Sequence, residues 1–312
     1  MMALTYHAGQ LEVQTEANSR PAADMLSERT SGRSERGLKF FAAADLLVLA
    51  TPHAAGRLRF VALSGDAPLL TPADDDTLLL HEGAGGFQHG AQVGAIAIDL
   101  RERLRARANG SIKVEGSRVY IRAAEELINC RKYIAPSVAL ESGFHCGPTA
   151  RVPVAFDDAG LIDVLRGVET AFLASVSPHG RPDVSHKGGP PGFLVFDSDS
   201  RLLTWPELIG NGMFKSAGNV RATGTVSVLA LDVTTGNGYE LCGRGEYTTE
   251  LRYEEPRASG LWPSEQDFPT QGVMTVRVEE VTLLERMILP RRRLDSEDKV
   301  TACSPREDQV PR

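Results

Sequence analysis

Short apolar runs recur along this chain, and most are too short to form helices. The mainly apolar runs cover residues 46–50, 93–98, 171–176 and 226–231. Polar, glycine-containing or aspartate-rich turns separate such runs, for example at residues 197–200 and 235–238. Runs of about four to eight residues between turn signals indicate strands of an all-β barrel. Helical periodicity is predicted at residues 40–45, 161–169 and 213–222, so the chain is predicted to be mainly β with a few helices.

Two parts of the chain repeat the same order of features. A strand, a Pro-His turn and a Gly-Arg step occur at residues 46–57 and again at residues 171–181. Further along, residues 93–110 match residues 226–243, and each stretch ends on a glycine at the same offset. The period is far longer than that of a solenoid repeat. The pattern therefore predicts two copies of one short-stranded barrel.

The repeat predicts where the domains begin and end. The predicted segments are an N-terminal extension (1–37), a diverged first barrel (38–135), a linker (136–158), a second barrel (159–290) and a polar tail (291–312). Residues 17–37 are rich in Ser, Arg, Glu and Ala, so we expect a polar helix and loop outside any core. The tail is expected to fray from Arg291 onward.

Composition excludes several functions but does not by itself indicate one. The chain has 312 residues, with 34 Lys and Arg against 41 Asp and Glu, a net charge of -7. This acidic balance argues against binding nucleic acid, which requires excess cations, and aromatic residues at 6% give no base-stacking platform. No apolar run reaches the roughly 20 residues that span a bilayer, so no membrane partner is expected. The cysteines are too scattered for a disulfide scaffold, and a cytoplasmic location is expected; they are Cys130, Cys146, Cys242 and Cys303.

The segment 180–193 (GRPDVSHKGGPPGF) carries the most chemistry. Arg181 and Lys187 supply cations, Ser185 and His186 supply hydrogen-bond donors, and the glycines let backbone approach a ligand. A phosphate monoester needs this combination of donors. A plain surface hairpin with a Gly-Pro loop remains an alternative interpretation of the same residues.

A second polar segment, residues 210–219 (GNGMFKSAGN), follows a predicted strand. Asn211, Lys215, Ser216 and Asn219 could donate to a phosphate or a ring carbonyl. The glycines do not form the GxGxxG pattern of a dinucleotide-binding βαβ unit, so that fold is rejected. An ordinary helix N-terminus is the alternative interpretation.

These segments together resemble the pyridoxamine 5'-phosphate oxidase-like FMN-binding split barrels, over residues 161–284. The resemblance lies in residues 170–193 and 210–219, and in SVLALD at 227–232 followed by Gly-Arg-Gly at 243–245. The first copy resembles the diverged partner domain of tandem members, through YHAGQLEVQ (6–14), the strand-turn-strand at 46–64 and INCRKYI (128–134).

The resemblance implies two tandem split β-barrels with FMN in the groove between them. Carried over residue by residue, it implies a cofactor-binding set of Arg181, Asp183, Val184, Ser185, His186, Lys187, Trp205, Pro206, Asn211, Met213, Lys215, Ser216 and Asn219. Gly212 and Phe214 interrupt the Arg-Lys pair that the true oxidases place in this loop, so the phosphate contacts differ here. No pyridoxine-binding residues are recognisable, and vitamin B6 synthesis is not inferred.

The implied function is an FMN-dependent oxidoreductase acting on a small molecule, with NAD(P)H and a homodimer left open as partners. A flavin- or haem-binding carrier or sensor without turnover is the alternative, and a structural dimer with a decayed site is the third class. No catalytic residue is assigned, although His186 is a candidate. The first copy lacks the lysine and carries Glu82 where a phosphate would bind, so one site per chain is expected, with a second site at a symmetric dimer contact as the alternative.

Other chemistries find less support in the sequence. GxSxG is absent, so a hydrolase is not indicated. Cys130, His145 and Cys146 could in principle hold a metal, but their spacing favours buried thiols and a linker histidine, and no metal site is predicted. His53 and His179 share one turn position, which favours a role in the turn.

Overall fold

The computed structural model describes residues 4–29, 40–66, 68–81, 84–129, 131–250 and 268–294. Its helices are α1 (Ala8–Glu16), α2 (Arg20–Arg29), α3 (Ala159–Gly167) and α4 (Lys215–Thr223). Its strands are β1 (Leu46–Pro52), β2 (Leu58–Gly65), β3 (Leu70–Pro72), β4 (Thr77–Leu80), β5 (Gln92–Asp99), β6 (Leu104–Glu115), β7 (Arg118–Asn129), β8 (Ser137–Ala139), β9 (Phe144–Cys146), β10 (Ala150–Pro153), β11 (Thr170–Val176), β12 (Pro182–Gly188), β13 (Val195–Asp197), β14 (Leu202–Leu208), β15 (Thr225–Leu231), β16 (Gly238–Thr248), β17 (Thr270–Glu285) and β18 (Arg291–Arg293). The predicted helices at 161–169 and 213–222 correspond to α3 and α4, and residues 40–43 are helical.

The strands build two eight-stranded antiparallel sheets. The first has the order β3-β4-β7-β6-β5-β1-β2-β9, and the second has the order β13-β14-β17-β16-β15-β11-β12 with β10 beside β17. Seven strands therefore follow one order in both sheets. The matched Gly110 and Gly243 both lie at register shifts. A Cβ on Gly110 would lie 1.9 Å from the Arg122 carbonyl oxygen, and one on Gly243 would lie 2.1 Å from the Arg277 carbonyl oxygen. The predicted fold, mainly β with two split barrels, is confirmed.

Each barrel has its own core, and a third core lies between the barrels. On β1, Leu47 and Leu49 face the core of the first barrel, while Leu46 and Val48 face the core between the barrels. On β11, Leu173 packs inside the second barrel. Successive side chains of a strand point to opposite faces, so a strand buried on both sides is apolar throughout. This explains the continuous apolar runs in the sequence.

The predicted linker and the start of the predicted tail contain strands. β9 extends the first sheet beside β2, β10 extends the second beside β17, and β8 pairs with β18. Arg291 is fully buried, and its Nη1 donates to Asp45 Oδ2 at 2.9 Å. The prediction that the chain frays from Arg291 is wrong for Arg291–Arg293, because this ion pair fixes them. The predicted domain boundaries stay a prediction.

The N-terminal extension packs on the second barrel. Gly9 of α1 approaches α4 so closely that a Cβ would lie 2.6 Å from the Gly218 carbonyl oxygen. Ala23 of α2 is fully buried, and its carbonyl accepts from the Tyr6 hydroxyl at 2.8 Å. The expected polar helix outside any core is therefore wrong at Ala23; residues 30–37 lie outside the described residues.

Candidate functional site

The two polar segments singled out in the sequence meet where the barrels join. β12 is an edge strand of the second sheet and packs against β5 and β1 of the first barrel. Gly94 on β5 permits this approach, because a Cβ there would lie 2.8 Å from Asp183 Cα. The first residues of α4 face β12, and the Ser185 and Ser216 hydroxyl oxygens are 2.8 Å apart. The junction thus joins β12, α4 and the wall of the first barrel.

Two cavities open at this junction. The larger has a volume of about 1140 Å³ and lies between the N-terminal segment, β6 and β7, and the turn before β12. The smaller has a volume of about 120 Å³ and lies between β6, β12, β14 and the start of α4. Lys215 lines both cavities. The larger volume slightly exceeds the roughly 300–1,000 Å³ typical of small-molecule sites.

The predicted cofactor residues divide between these cavities. Those lining the smaller one are Ser185, His186, Lys187, Trp205, Pro206, Asn211, Met213, Lys215 and Ser216. Those lining the larger one are Arg181, Asp183, Lys215 and Asn219. Arg181 is exposed. The Val184 side chain packs in the core between the barrels and lines neither cavity, so only its backbone could contribute to a site.

Ion pairs between the barrels separate the two cavities. Arg107 Nη1 on β6 donates to both carboxylate oxygens of Asp183, at 3.1 and 2.9 Å, and Asn109 Nδ2 donates to Asp183 at 2.7 Å. Lys215 Nζ donates to Glu125 of β7 at 2.5 Å. Burial alone would raise the pKa of Asp183, but Arg107 and Lys215 outweigh burial and lower it. Asp183 is therefore an ionised, structural carboxylate at the junction.

The other predicted lysine also has a carboxylate partner. Lys187 Nζ donates to Glu207 of β14 at 2.7 Å, and both side chains are largely buried. Trp205 Nε1 donates to the same carboxylate at 2.9 Å. An anionic ligand would have to share or displace Glu207 and Glu125 to contact these lysines.

His186 lies on the opposite face of β12 from these ion pairs. Its side chain is 7% exposed, and Nδ1 is 2.7 Å from Arg105 Nη1 of β6. The ring meets Phe172 edge-on, with centroids 5.6 Å apart. His186 therefore sits in a fixed orientation beside the smaller cavity.

Asn219 and Asn211 hold backbone segments in place. Asn219 Oδ1 lies 2.8 Å from His7 Nε2 and accepts from Gln10 Nε2 at 3.2 Å, while its amide donates to Ser175 at 3.0 Å. Asn211 Oδ1 accepts from the backbone N–H of Met213 at 3.2 Å. The N-terminal motif is thereby fixed against α4, and Tyr6, His7 and Gln10 close one side of the larger cavity.

The corresponding position on the opposite barrel is filled by protein groups. Glu240 lies three residues before Gly243, as Arg107 lies three before Gly110. Glu240 accepts from the Phe60 backbone N–H at 2.7 Å and from Arg151 of β10 at 3.1 Å. Burial, only partly offset by hydrogen bonding and nearby arginines, raises the pKa of Glu240. A carboxylate and a linker arginine thus occupy the position that would mirror the site.

The residues that sequence reasoning missed come mainly from the first barrel and the N-terminus. Arg105, Arg107 and Asn109 alternate with alanines along β6, and this period of two places all three on one face of the strand. That alternation is the sequence signal from which these three residues could have been predicted. Glu125 and Glu207 carry no comparable local signal.

The remaining candidates lie away from the junction. Cys146 is half-buried and Cys242 buried, both as free thiols, whereas Cys130 and Cys303 lie outside the described residues, as does Glu82. Within the described ranges, no group of three or more metal-ligating side chains comes together. His53 and His179 are exposed beside the hairpin turns. Each helix in the described part of the chain is too short or too polar to span a membrane.

A sequence model of the family described as "Pyridoxamine 5'-phosphate oxidase" matches residues 161–285. This range covers most of α3 and all of β11 to β16, α4 and β17, and so includes β12 and most of the second barrel. The second barrel is therefore similar to the pyridoxamine 5'-phosphate oxidase family over most of its length. No curated protein matches the chain.

Several solved structures are similar to part of this chain. A putative pyridoxamine 5'-phosphate oxidase of Lactobacillus delbrueckii is 22% identical, with a TM-score of 0.30, covering 39% of this chain and 90% of its own. An FMN-binding protein of Syntrophomonas wolfei is 14% identical, with a TM-score of 0.31, covering 40% and 87%. HutZ, the haem storage protein of Vibrio cholerae, is 15% identical, with a TM-score of 0.28, covering 42% and 95%.

The donors at the junction of the two barrels fit a phosphate-bearing cofactor. Arg105, Arg107, Lys187 and Lys215 line the smaller cavity, and Glu207 is the single carboxylate among its described lining residues. Two hydroxyl groups, of Ser185 and Ser216, face each other there. The neighbouring larger cavity has room for the rest of a cofactor and a substrate.

Proposed function

We propose that this chain is an FMN-binding flavoprotein and an oxidoreductase of a small-molecule substrate. The observation that carries the proposal is the small cationic cavity between the barrels, built by the two segments that resemble the family's cofactor-binding motifs. Arg107, Lys187 and Lys215 would hold the phosphate by charge-assisted hydrogen bonds, with Ser185 and Ser216 as further donors.

FMN supplies hydride or electron transfer when bound, and the protein binds and orients it. The larger cavity is the proposed place for the substrate, because it adjoins the phosphate donors through Lys215. Arg181 lies at its edge as an exposed cation. NAD(P)H is the proposed class of electron donor.

We further propose one FMN per chain, with the first barrel as the wall that completes the site. The shared strand order supports two copies of one unit, and the mirrored position is closed by Glu240 and Arg151. In this proposal, the first barrel supplies the wall of the site that a second subunit would otherwise supply. A homodimer of chains and a cytoplasmic location stay predictions.

Titration with FMN tests this proposal, using Lys215→Met as the variant. Losing one charge-assisted contact of about 1.5–3 kcal/mol should weaken binding about 10- to 150-fold. Lys113→Met is the matched control, because Lys113 is an exposed lysine of the first barrel paired with Glu115.

Quenching of FMN fluorescence gives the affinity, and circular dichroism confirms folding of each variant. Equal affinity in both variants, or no bound FMN in the wild type, would contradict the site. A Soret band in the purified protein would favour the haem-binding carrier instead. Oxidation of NAD(P)H by the FMN-loaded protein, with a substrate reduced in step, separates an oxidoreductase from a carrier.

A further inference from the structure

The imidazole of His186 has a hydrogen-bonding role that the proposed phosphate contacts do not use. Its Nδ1 lies 2.7 Å from Arg105 Nη1. A guanidinium can only donate, so Nδ1 must accept and the ring proton must reside on Nε2. An arginine of one barrel thereby sets the tautomer of a histidine of the other.

The imidazole is also held neutral. Burial, followed by the positive charges of Arg105, Lys187 and Arg107, keeps the pKa of His186 well below its usual value. Two of its neighbours are uncharged: Phe172 of β11 meets the ring edge-on, and the Tyr133 carbonyl lies beside Gly188. A second proton would add another positive charge among three cations. His186 therefore presents an uncharged Nε2–H group.

The position of the ring leaves little freedom to move. A Cβ on Gly188 would lie 2.7 Å from His186 Cε1 and 1.8 Å from the Tyr133 carbonyl oxygen, so only glycine fits beside the ring. His186 is only 7% exposed. No described residue offers Nε2 an acceptor, although this atom is buried and the residue lines the smaller cavity.

A buried donor without an acceptor is costly, and binding sites are where such groups recur. Arg107 Nε, which is likewise buried and lacks a partner in the described part of the chain, belongs to a residue that lines the same cavity. Both donors fit an electron-rich oxygen. Asn129, which also lines this cavity, has a buried Oδ1 without a hydrogen-bond donor among the described residues, and this oxygen could accept from the same ligand or from water.

We propose that His186 Nε2–H is a fixed, uncharged hydrogen-bond donor to an acceptor oxygen of the bound cofactor, which rests on the proposed function. Two kinds of oxygen share this chemistry: the terminal oxygens of the phosphate and the carbonyl oxygens of the flavin ring. His186 is on this account a binding residue whose tautomer Arg105 of the other barrel dictates.

Three forms of the full chain test the proposal: wild type, His186→Phe and His186→Gln. Phenylalanine keeps a ring against Phe172 but removes the donor, whereas a glutamine amide nitrogen can reach the place of Nε2. Loss of one uncharged donor should weaken FMN binding about 3- to 10-fold in the Phe variant, with the Gln variant within about twofold of wild type. Riboflavin, which lacks the phosphate, separates the two acceptors: weakening of both ligands assigns the ring, and weakening of FMN alone assigns the phosphate.

Nitrogen-15 NMR of the ligand-free protein gives an independent measurement. We expect a neutral His186 with the proton on Nε2 across about pH 6–8. A proton on Nδ1, or equal FMN affinity in the wild type and the Phe variant, overturns the inference while leaving the proposed function intact. Absence of FMN binding to the wild type overturns the proposed function, and the donor role toward FMN with it.

Discussion

Replacing Glu125 with glutamine should tighten FMN binding, although the change removes an ion pair. Glu125 of the first barrel accepts from Lys215 Nζ at 2.5 Å. The Lys215 side chain is 7% exposed and that of Glu125 is 23% exposed, so solvent screens the pair only in part. On our account, this carboxylate competes with the cofactor phosphate for the same ammonium group.

The structure sets the expected size of the effect. A charge-assisted hydrogen bond contributes about 1.5–3 kcal/mol, which corresponds to roughly 10- to 150-fold in affinity. Glutamine keeps a weaker bond to Lys215, so we expect about tenfold tighter binding. Breaking a buried ion pair costs roughly 3–5 kcal/mol, and the partial exposure of Glu125 should reduce this cost. The ligand-free variant should therefore be less stable than wild type and should gain more stability from FMN.

Fluorescence titration and thermal unfolding with and without FMN measure both effects. Glu115→Gln is the matched control, because it neutralises an exposed glutamate paired with Lys113 on the same sheet. Weaker or unchanged FMN binding in the Glu125 variant would refute the competition between carboxylate and phosphate.

Other predictions concern the contact between the barrels. Gly94→Ala should lower the free energy of unfolding by about 1–3 kcal/mol, because the added Cβ overpacks against β12, and it should also weaken FMN binding. The control is Gly85→Ala, which has no atom near its added Cβ and should change neither quantity. Urea unfolding and FMN titration compare the two variants. Arg151→Met should lower the free energy of unfolding by roughly 3 kcal/mol, because it leaves the buried Glu240 carboxylate uncompensated. Adding Glu240→Gln to this variant should restore part of the lost stability. If the double variant is as unstable as Arg151→Met alone, or less stable, this reasoning is wrong. Since the pKa of His186 is lowered in the folded state, the unfolded chain binds more protons below about pH 6.5, and the free energy of unfolding should fall there by up to about 1.4 kcal/mol per pH unit. His186→Phe should flatten that slope in urea unfolding measured from pH 7 downward.

The strands could be predicted because their environment leaves a local signal. Residues 46–50 are apolar at every position, and residues 171–176 at every position except Ser175, because the strands they form, β1 and β11, are buried on both faces. Gly110 and Gly243 could be matched by offset because each marks a register shift in equivalent strands. The short strands of the linker could not be predicted, since β8, β9 and β10 are defined by pairing with distant segments and not by their own patterns.

The candidate site was predictable only on the side that carries contiguous motifs. β12 and α4 hold their polar residues close together in sequence, and the resemblance to a family identified them. Their charge partners could not be anticipated, because Arg107 and Glu125 belong to the other barrel, 76 and 90 residues away from Asp183 and Lys215. Ion pairs across an interface depend on packing geometry, and no local period encodes it.

The central claim is that the barrels enclose one FMN per chain. Equilibrium dialysis of the purified full-length protein against FMN, with bound flavin quantified by its absorption after denaturation, tests it directly. Our account predicts saturation at one FMN per chain, with binding weakened in Lys215→Met. Saturation at two, or no bound flavin at any concentration, would contradict it.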